Sequence, residues 1–191
     1  MMVNTVCKTV YFKKVGPENT EETLKLAKAR AEELGIRNVV VASTSGKTGV
    51  KASELFKGYN LIVVSHVTGF KAPNVQEFLP ENREIIERNG AKVLTAAHAF
   101  GTLGRAVNKK FGTLQVDGIV SAVLRLFGQG MKVACEVACM ATDAGLIRTD
   151  EEAVMIGGSM GGADTAVVLQ PSNTHAFFDL SVKEIVCKPR L

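Results

Sequence analysis

The sequence predicts an α/β fold: a three-layer α/β/α arrangement around a mostly parallel sheet, with antiparallel strands near its C-terminal end. Three observations predict it. Short apolar, β-rich runs recur through the first hundred residues, and amphipathic helical segments separate them. Beyond residue 150, two strand-like runs stand only about seven residues apart, too close for a crossover, so that pair should be antiparallel.

The elements follow in order. Residues 8–12, KTVYF, alternate and are β-rich. The next segment, PENTEETLKLAKARAEELG, predicts a helix with Asn19 as N-cap, Glu22 as its capping-box partner and Gly35 as the stop, burying a stripe of Leu24, Ala27, Ala31 and Leu34. A strand at 39–43, a helix from about Val50 to Lys57, a strand at 61–65, a helix at 80–90 ending on Gly90 and a strand at 92–96 repeat the pattern. Such alternation implies right-handed crossovers and a parallel sheet covered on both faces.

Residues 103–145 read as helical throughout. Val116, Ile119, Val120, Val123, Leu124 and Phe127 fall at helical spacing, and 131–145 is apolar around most of its circumference, which implies deep packing. Strands at 153–157, 165–170 and 182–188 complete the mixed sheet.

Composition narrows the classes of function. A chain of 191 residues fits a single α/β domain spanning 1–191. Hydrophobic residues at 46% and charged residues at 22% match a soluble globular chain. No apolar run reaches the ~18–20 residues of a membrane span, and the opening segment lacks the order of a signal peptide, so the cytoplasm is the expected compartment and no membrane partner is expected. The formal charge of +4 is spread along the chain, and with two Tyr and no Trp there is neither basic stripe nor stacking platform for nucleic acid. Cysteines at 7, 135, 139 and 187 form no C-x-x-C pair and no metal-like cluster; Cys135 and Cys139, one helical turn apart on an apolar face, read as buried free thiols.

In a parallel α/β sheet, ligands bind outside the strand carboxyl ends, near helix N-termini. That edge should gather Asn19 and Thr20, the run Ser43, Thr44, Ser45, Gly46, Lys47 and Thr48, then Ser65, His66 and Thr68, and finally residues 95–98 with His98. The STSGKTG loop suits a phosphate. Gly46 permits positive φ so that successive N–H groups converge, the following helix, beginning near Gly49, adds its positive dipole end, hydroxyls donate and Lys47 adds charge. An ordinary polar turn with Thr48 capping the helix is the plainer alternative. A nucleotide triphosphatase is excluded, because the Walker pattern needs a glycine where Val41 stands, and no apolar strand ends in an Asp for magnesium.

A second glycine-rich segment, 157–164, makes either a tight hairpin or a second cradle through Gly157, Gly158 and Ser159. Spacing does not decide whether it or Ser172, Asn173, Thr174 and His175 faces the ligand edge. Three His without a matching Asp or Cys set make no triad or metal site. Glu136, a lone acid in an apolar helix, is explained by Lys132 one turn earlier.

With these residues in view, VVVASTSGKTGVKASELFKGYNLIVVS resembles the C-terminal domain of pyruvate kinase, where a strand, a hydroxyl-Ser-Gly-basic loop, a helix and a second strand hold the phosphate of a sugar bisphosphate effector. The likeness extends over much of the chain, with DTAVVLQ and VKEIV similar to that domain's last strands, and the whole looks like the stand-alone pyruvate kinase α/β domain proteins. It implies that residues 43–48 form the phosphate loop. It also implies no pyruvate kinase activity, because the catalytic barrel is absent, and an elaboration at about 98–160. The loop is similar as well to the one with which flavodoxins hold flavin mononucleotide (FMN), for which the elaboration would supply apolar surface and His66 and Asn19 polar contacts.

The expectation from the sequence is therefore a protein that binds a phosphorylated small molecule, with FMN as the specific cofactor. The alternatives are a sugar-phosphate sensor without chemistry, and a hydrolase or transferase using His66 or His98 as base. A homo-oligomer is compatible with each.

Overall fold

The computed structural model describes residues 6–190; the first five residues, part of the segment read above for a leader, lie outside it. The elements run β1 (Val10–Phe12), α1 (Thr20–Leu34), β2 (Asn38–Ala42), α2 (Lys47–Leu55), β3 (Asn60–Ser65), α3 (Pro80–Arg88), β4 (Lys92–Thr95), α4 (Leu103–Phe111), α5 (Val116–Arg125), α6 (Gln129–Asp143), β5 (Ala153–Gly157), β6 (Thr165–Gln170) and β7 (Ser181–Pro189). Seven strands form one sheet in the order β1-β7-β6-β5-β2-β3-β4. Strand β6 pairs antiparallel with both neighbours, and every other pairing is parallel.

The apolar strand runs arise because both sheet faces are covered. Val39, Val41, Val63, Val154 and Ile156 pack against Leu24, Ala27 and Ala31 of α1, Ala52 of α2 and Ile86 of α3. Val40, Ile62, Val64, Met155 and Val167 point the other way, onto Met131, Ala134, Cys135, Val137 and Ala138 of α6. Each fully buried Val or Ile contributes roughly 1.5–3 kcal/mol. Alternate strand residues therefore stabilise opposite layers, and the result is the three-layer arrangement the alternation predicts.

Several local expectations need correction. Leu34 does not join the α1 stripe but is exposed at the helix end. Asn19 makes no side-chain cap of α1; its amide instead donates to the carbonyls of Lys14 and Gly16 and holds the β1–α1 loop. Helix α2 starts at Lys47, earlier than the expected start near Gly49 or Val50. Residues 103–145 form three helices rather than one run, with breaks at 112–115 and 126–128 where Gly112 and Gly128 take positive φ. In α5, Val120 and Leu124 pack inward, while Val116, Ile119 and Val123 remain exposed.

Topology sets the position of the site. From β2 the chain moves to β3 on one side, whereas from β5 it turns back to β6 on the other. The segments leaving these two neighbouring parallel strands diverge at their carboxyl ends. A crevice opens between them, where open α/β sheets place their ligands.

Candidate functional site

A cavity of about 250 Å³ occupies this crevice. The β2–α2 loop contributes Ala42, Ser43 and Thr44, with Thr48 from the first turn of α2; β3 contributes Val64, Ser65 and His66; and residues 158–162 form another wall. Helix α6 closes the apolar side with Val133, Val137 and Met140.

The β2–α2 loop is shaped by its own hydrogen bonds. Ser43 N–H extends the sheet ladder to the Val64 carbonyl at 2.9 Å, and its Oγ accepts from Gly49 N–H at 3.2 Å, capping α2. The Ser45 carbonyl accepts from Leu79 N–H and from the Asn82 amide. Gly46 adopts φ 91°, and a Cβ there would lie 2.6 Å from Asn82 Cβ and 2.9 Å from the Phe78 ring, so both conformation and packing require glycine. Among the described residues no acceptor meets the N–H groups of residues 45–48. These are the orphan donors of a helix N-terminus, carrying its partial positive charge.

Beside them stands His66. Its Nδ1 lies 2.9 Å from Glu77 Oε2, and its Nε2 lies 3.4 Å from Thr44 Oγ1. The ring contacts Phe70, with centroids 4.4 Å apart, and its centroid is 5.3 Å from that of His98. His98 is buried and accepts from Val67 N–H on Nε2 at 3.3 Å. Burial holds the His98 imidazole below the ordinary histidine range; Glu136 opposes the shift, and His66, Lys132 and Arg105 add to it. Deeper still, Glu136 pairs with Lys132 and accepts from Phe100 N–H on its other oxygen at 3.1 Å. Burial pushes the Lys132 ammonium down, and its pairing with Glu136 acts the other way.

The residues singled out in the sequence divide. Ser43, Thr44, Thr48, His66, His98, Gly158 and Ser159 line the cavity. Asn19, Thr20, Ser45, Gly46, Lys47, Thr68 and Gly157 do not. Thr20 instead accepts from Ala163 N–H and fixes the end of the 158–162 wall. Lys47 is exposed, and Thr68 is exposed and bonded by Gln76. Because β6 runs antiparallel, residues 171–175 leave the sheet at the opposite edge, so of the two segments left open it is 157–164 that reaches the cavity.

Sequence reasoning missed Glu77, Gln129, Val133, Val137 and Met140, and it set Glu136 aside although that residue lines the cavity; Met160, Gly161 and Gly162 fall within the 157–164 segment it left open. For α6 a signal existed, since its apolar circumference leaves room for a wall as well as a core face. Glu77 had none, because it stands in the irregular segment between β3 and α3.

An open α/β sheet with a cavity at its switch point, beside a helix N-terminus whose N–H groups at 45–48 meet no acceptor among the described residues, defines an α/β domain with a candidate ligand site. A family model described as "Pyruvate kinase, alpha/beta domain" matches residues 21–169, a range that runs through 98–160. The chain belongs to the pyruvate kinase alpha/beta domain family. Among solved structures, a mutant of an O-ureido-L-serine synthase with O-ureido-L-serine bound is 19% identical; the match covers 65% of this chain and 38% of that one, and its TM-score of 0.30 carries no argument. No helix among the described residues is long and apolar enough to cross a membrane.

Proposed function

We propose that the β2–β5 crevice binds a phosphorylated small molecule, with the phosphate on the N-terminal N–H groups of α2. The observation that carries this is the unpartnered run of donors at residues 45–48, beside a cavity that Thr44 and Thr48 line with hydroxyls. Helix N-termini of this kind hold anions through oriented N–H groups and the helix dipole. Family membership supports a sugar phosphate as that ligand. So does size, because about 250 Å³ falls below the ~300–1,000 Å³ usual for larger ligands.

FMN is the second reading, and the apolar wall of Val133, Val137 and Met140 favours it, since an isoalloxazine needs such a surface. Its ring system would extend beyond the cavity mouth.

Thermal melting of the purified protein with inorganic phosphate, a sugar bisphosphate or FMN separates these. A ligand at about 100 times its Kd stabilises by roughly 2.7 kcal/mol, and at ~2–4 °C per kcal/mol for a chain of this size Tm should rise by roughly 5–11 °C. Thr48→Val should reduce the rise. FMN is refuted by colourless protein that shows no shift with it, and the whole proposal by an unchanged Tm with all three.

A further inference from the structure

Thr44, His66 and Glu77 stand in the order hydroxyl, imidazole, carboxylate. Nδ1 of His66 faces a carboxylate that can only accept, so in the neutral ring Nδ1 carries the proton and Nε2 is left with a lone pair. That lone pair faces Thr44 Oγ1, and both groups line the cavity. The other acid–base groups nearby are committed elsewhere: His98 Nε2 takes the Val67 N–H, and Glu136 is held by Lys132 and Phe100 N–H. Thr48, four residues beyond Thr44, also lines the cavity, and its N–H meets no acceptor among the described residues, so charge developing on a group attacked by Thr44 can be met there.

The geometry points to a phosphoryl-transfer centre acting on a phosphate monoester, with Thr44 as nucleophile, His66 as proton carrier and Glu77 as a positioning residue. It rests on the phosphate reading of the cavity. In the first step Thr44 Oγ forms a bond to phosphorus and the bond to the leaving oxygen breaks; the Thr44 proton passes to His66 Nε2, and the leaving oxygen, in line on the far side of phosphorus, takes a proton from solvent and departs as an alcohol. In the second, water attacks phosphothreonine from the side the alcohol left and gives its proton to solvent, the His66 imidazolium returns its proton to Thr44 Oγ as the Oγ–P bond breaks, and inorganic phosphate leaves. Glu77 holds the ring in the tautomer both steps require and steadies the transient imidazolium. The α2 amides hold the equatorial oxygens through the transition state.

The test uses the full chain with p-nitrophenyl phosphate, acid quenching and intact-mass spectrometry, alongside melting with inorganic phosphate. Expected are saturable p-nitrophenolate release and a phosphoryl adduct that fragmentation places on Thr44. Thr44→Val should abolish both the adduct and p-nitrophenolate release. His66→Gln should lower kcat by roughly 10²–10⁴-fold, and Glu77→Gln should lower kcat with KM unchanged. The inference is overturned by wild-type protein that binds phosphate yet neither turns over nor gains a phosphoryl group, by turnover that survives Thr44→Val, or by an adduct on His66. Protein that gains no stability from phosphate overturns the underlying phosphate reading instead.

Discussion

Substituting Lys132 by Met tests whether the charge pair under the cavity holds α6 in place. Lys132 and Glu136 side chains are 6% and 8% exposed, so the pair is largely withdrawn from solvent, with Glu136 at the cavity wall. In Lys132→Met the Glu136 carboxylate keeps only the Phe100 N–H as a partner. Removing one member of a buried pair costs roughly 3–5 kcal/mol, because the remaining charge is uncompensated. For a chain of this size that lowers Tm by roughly 6–20 °C, at ~2–4 °C per kcal/mol. Circular dichroism melts measure it directly. Adding Glu136→Gln should return much of the loss, since the amide oxygen still accepts from Phe100 N–H and no buried charge remains. A single variant within about 1 kcal/mol of wild type, or a double variant worse than the single, would refute the reasoning.

Gly49 sits where α2 meets β3 and α3, and a Cβ there would lie 2.6 Å from Val63 Cγ1 and 2.8 Å from Ile86 Cδ1; Gly49→Ala should cost about 1–3 kcal/mol in urea unfolding through overpacking. Because burial lowers the pKa of His98, the unfolded chain binds its proton first as pH falls. Stability should therefore decline as pH drops through the ordinary imidazole range, near ~6.5, and His98→Gln should flatten that decline in pH-dependent unfolding. Burial pushes Cys135 and Cys139 up to about 12 and Cys187 up to about 11, while Cys7 is exposed. Native protein should thus give a single fast-reacting thiol with Ellman's reagent, and urea should release the other three; fast labelling of Cys135 in native protein would contradict the packing.

Much of the fold was legible because both sheet faces are buried. Val39, Val40 and Val41 all read as strand since each has a layer to enter, and the short link between β5 and β6 left only an antiparallel solution. Strand order was not legible. Nothing in local pattern says that β5 sits beside β2, and that adjacency makes the cavity. The loop at 43–48 announced itself through Gly46, but which of its faces packs inward and which opens to the cavity depends on Phe78 and on Asn82 of α3, the latter 37 residues beyond Ser45 and invisible to spacing. Glu77 meets His66 across an irregular loop, where no period relates positions 66 and 77. The exposed side of α5 shows the converse: helical spacing reveals that a face is apolar, and the fold alone decides what covers it.

The segment between β1 and α1 has a mechanical consequence. Gly16 N–H is tied to the fully buried Asp164 at 3.0 Å, and Thr20 is tied to Ala163, while β1, at the sheet edge, pairs among the described residues with β7 alone. Tension applied ahead of Val10 would peel away this outermost three-residue strand first and tug on the 158–162 wall before loading β2 or β3. A force-spectroscopy trace should then contain an early, low-force event in which one side of the cavity slackens while the rest of the sheet still resists.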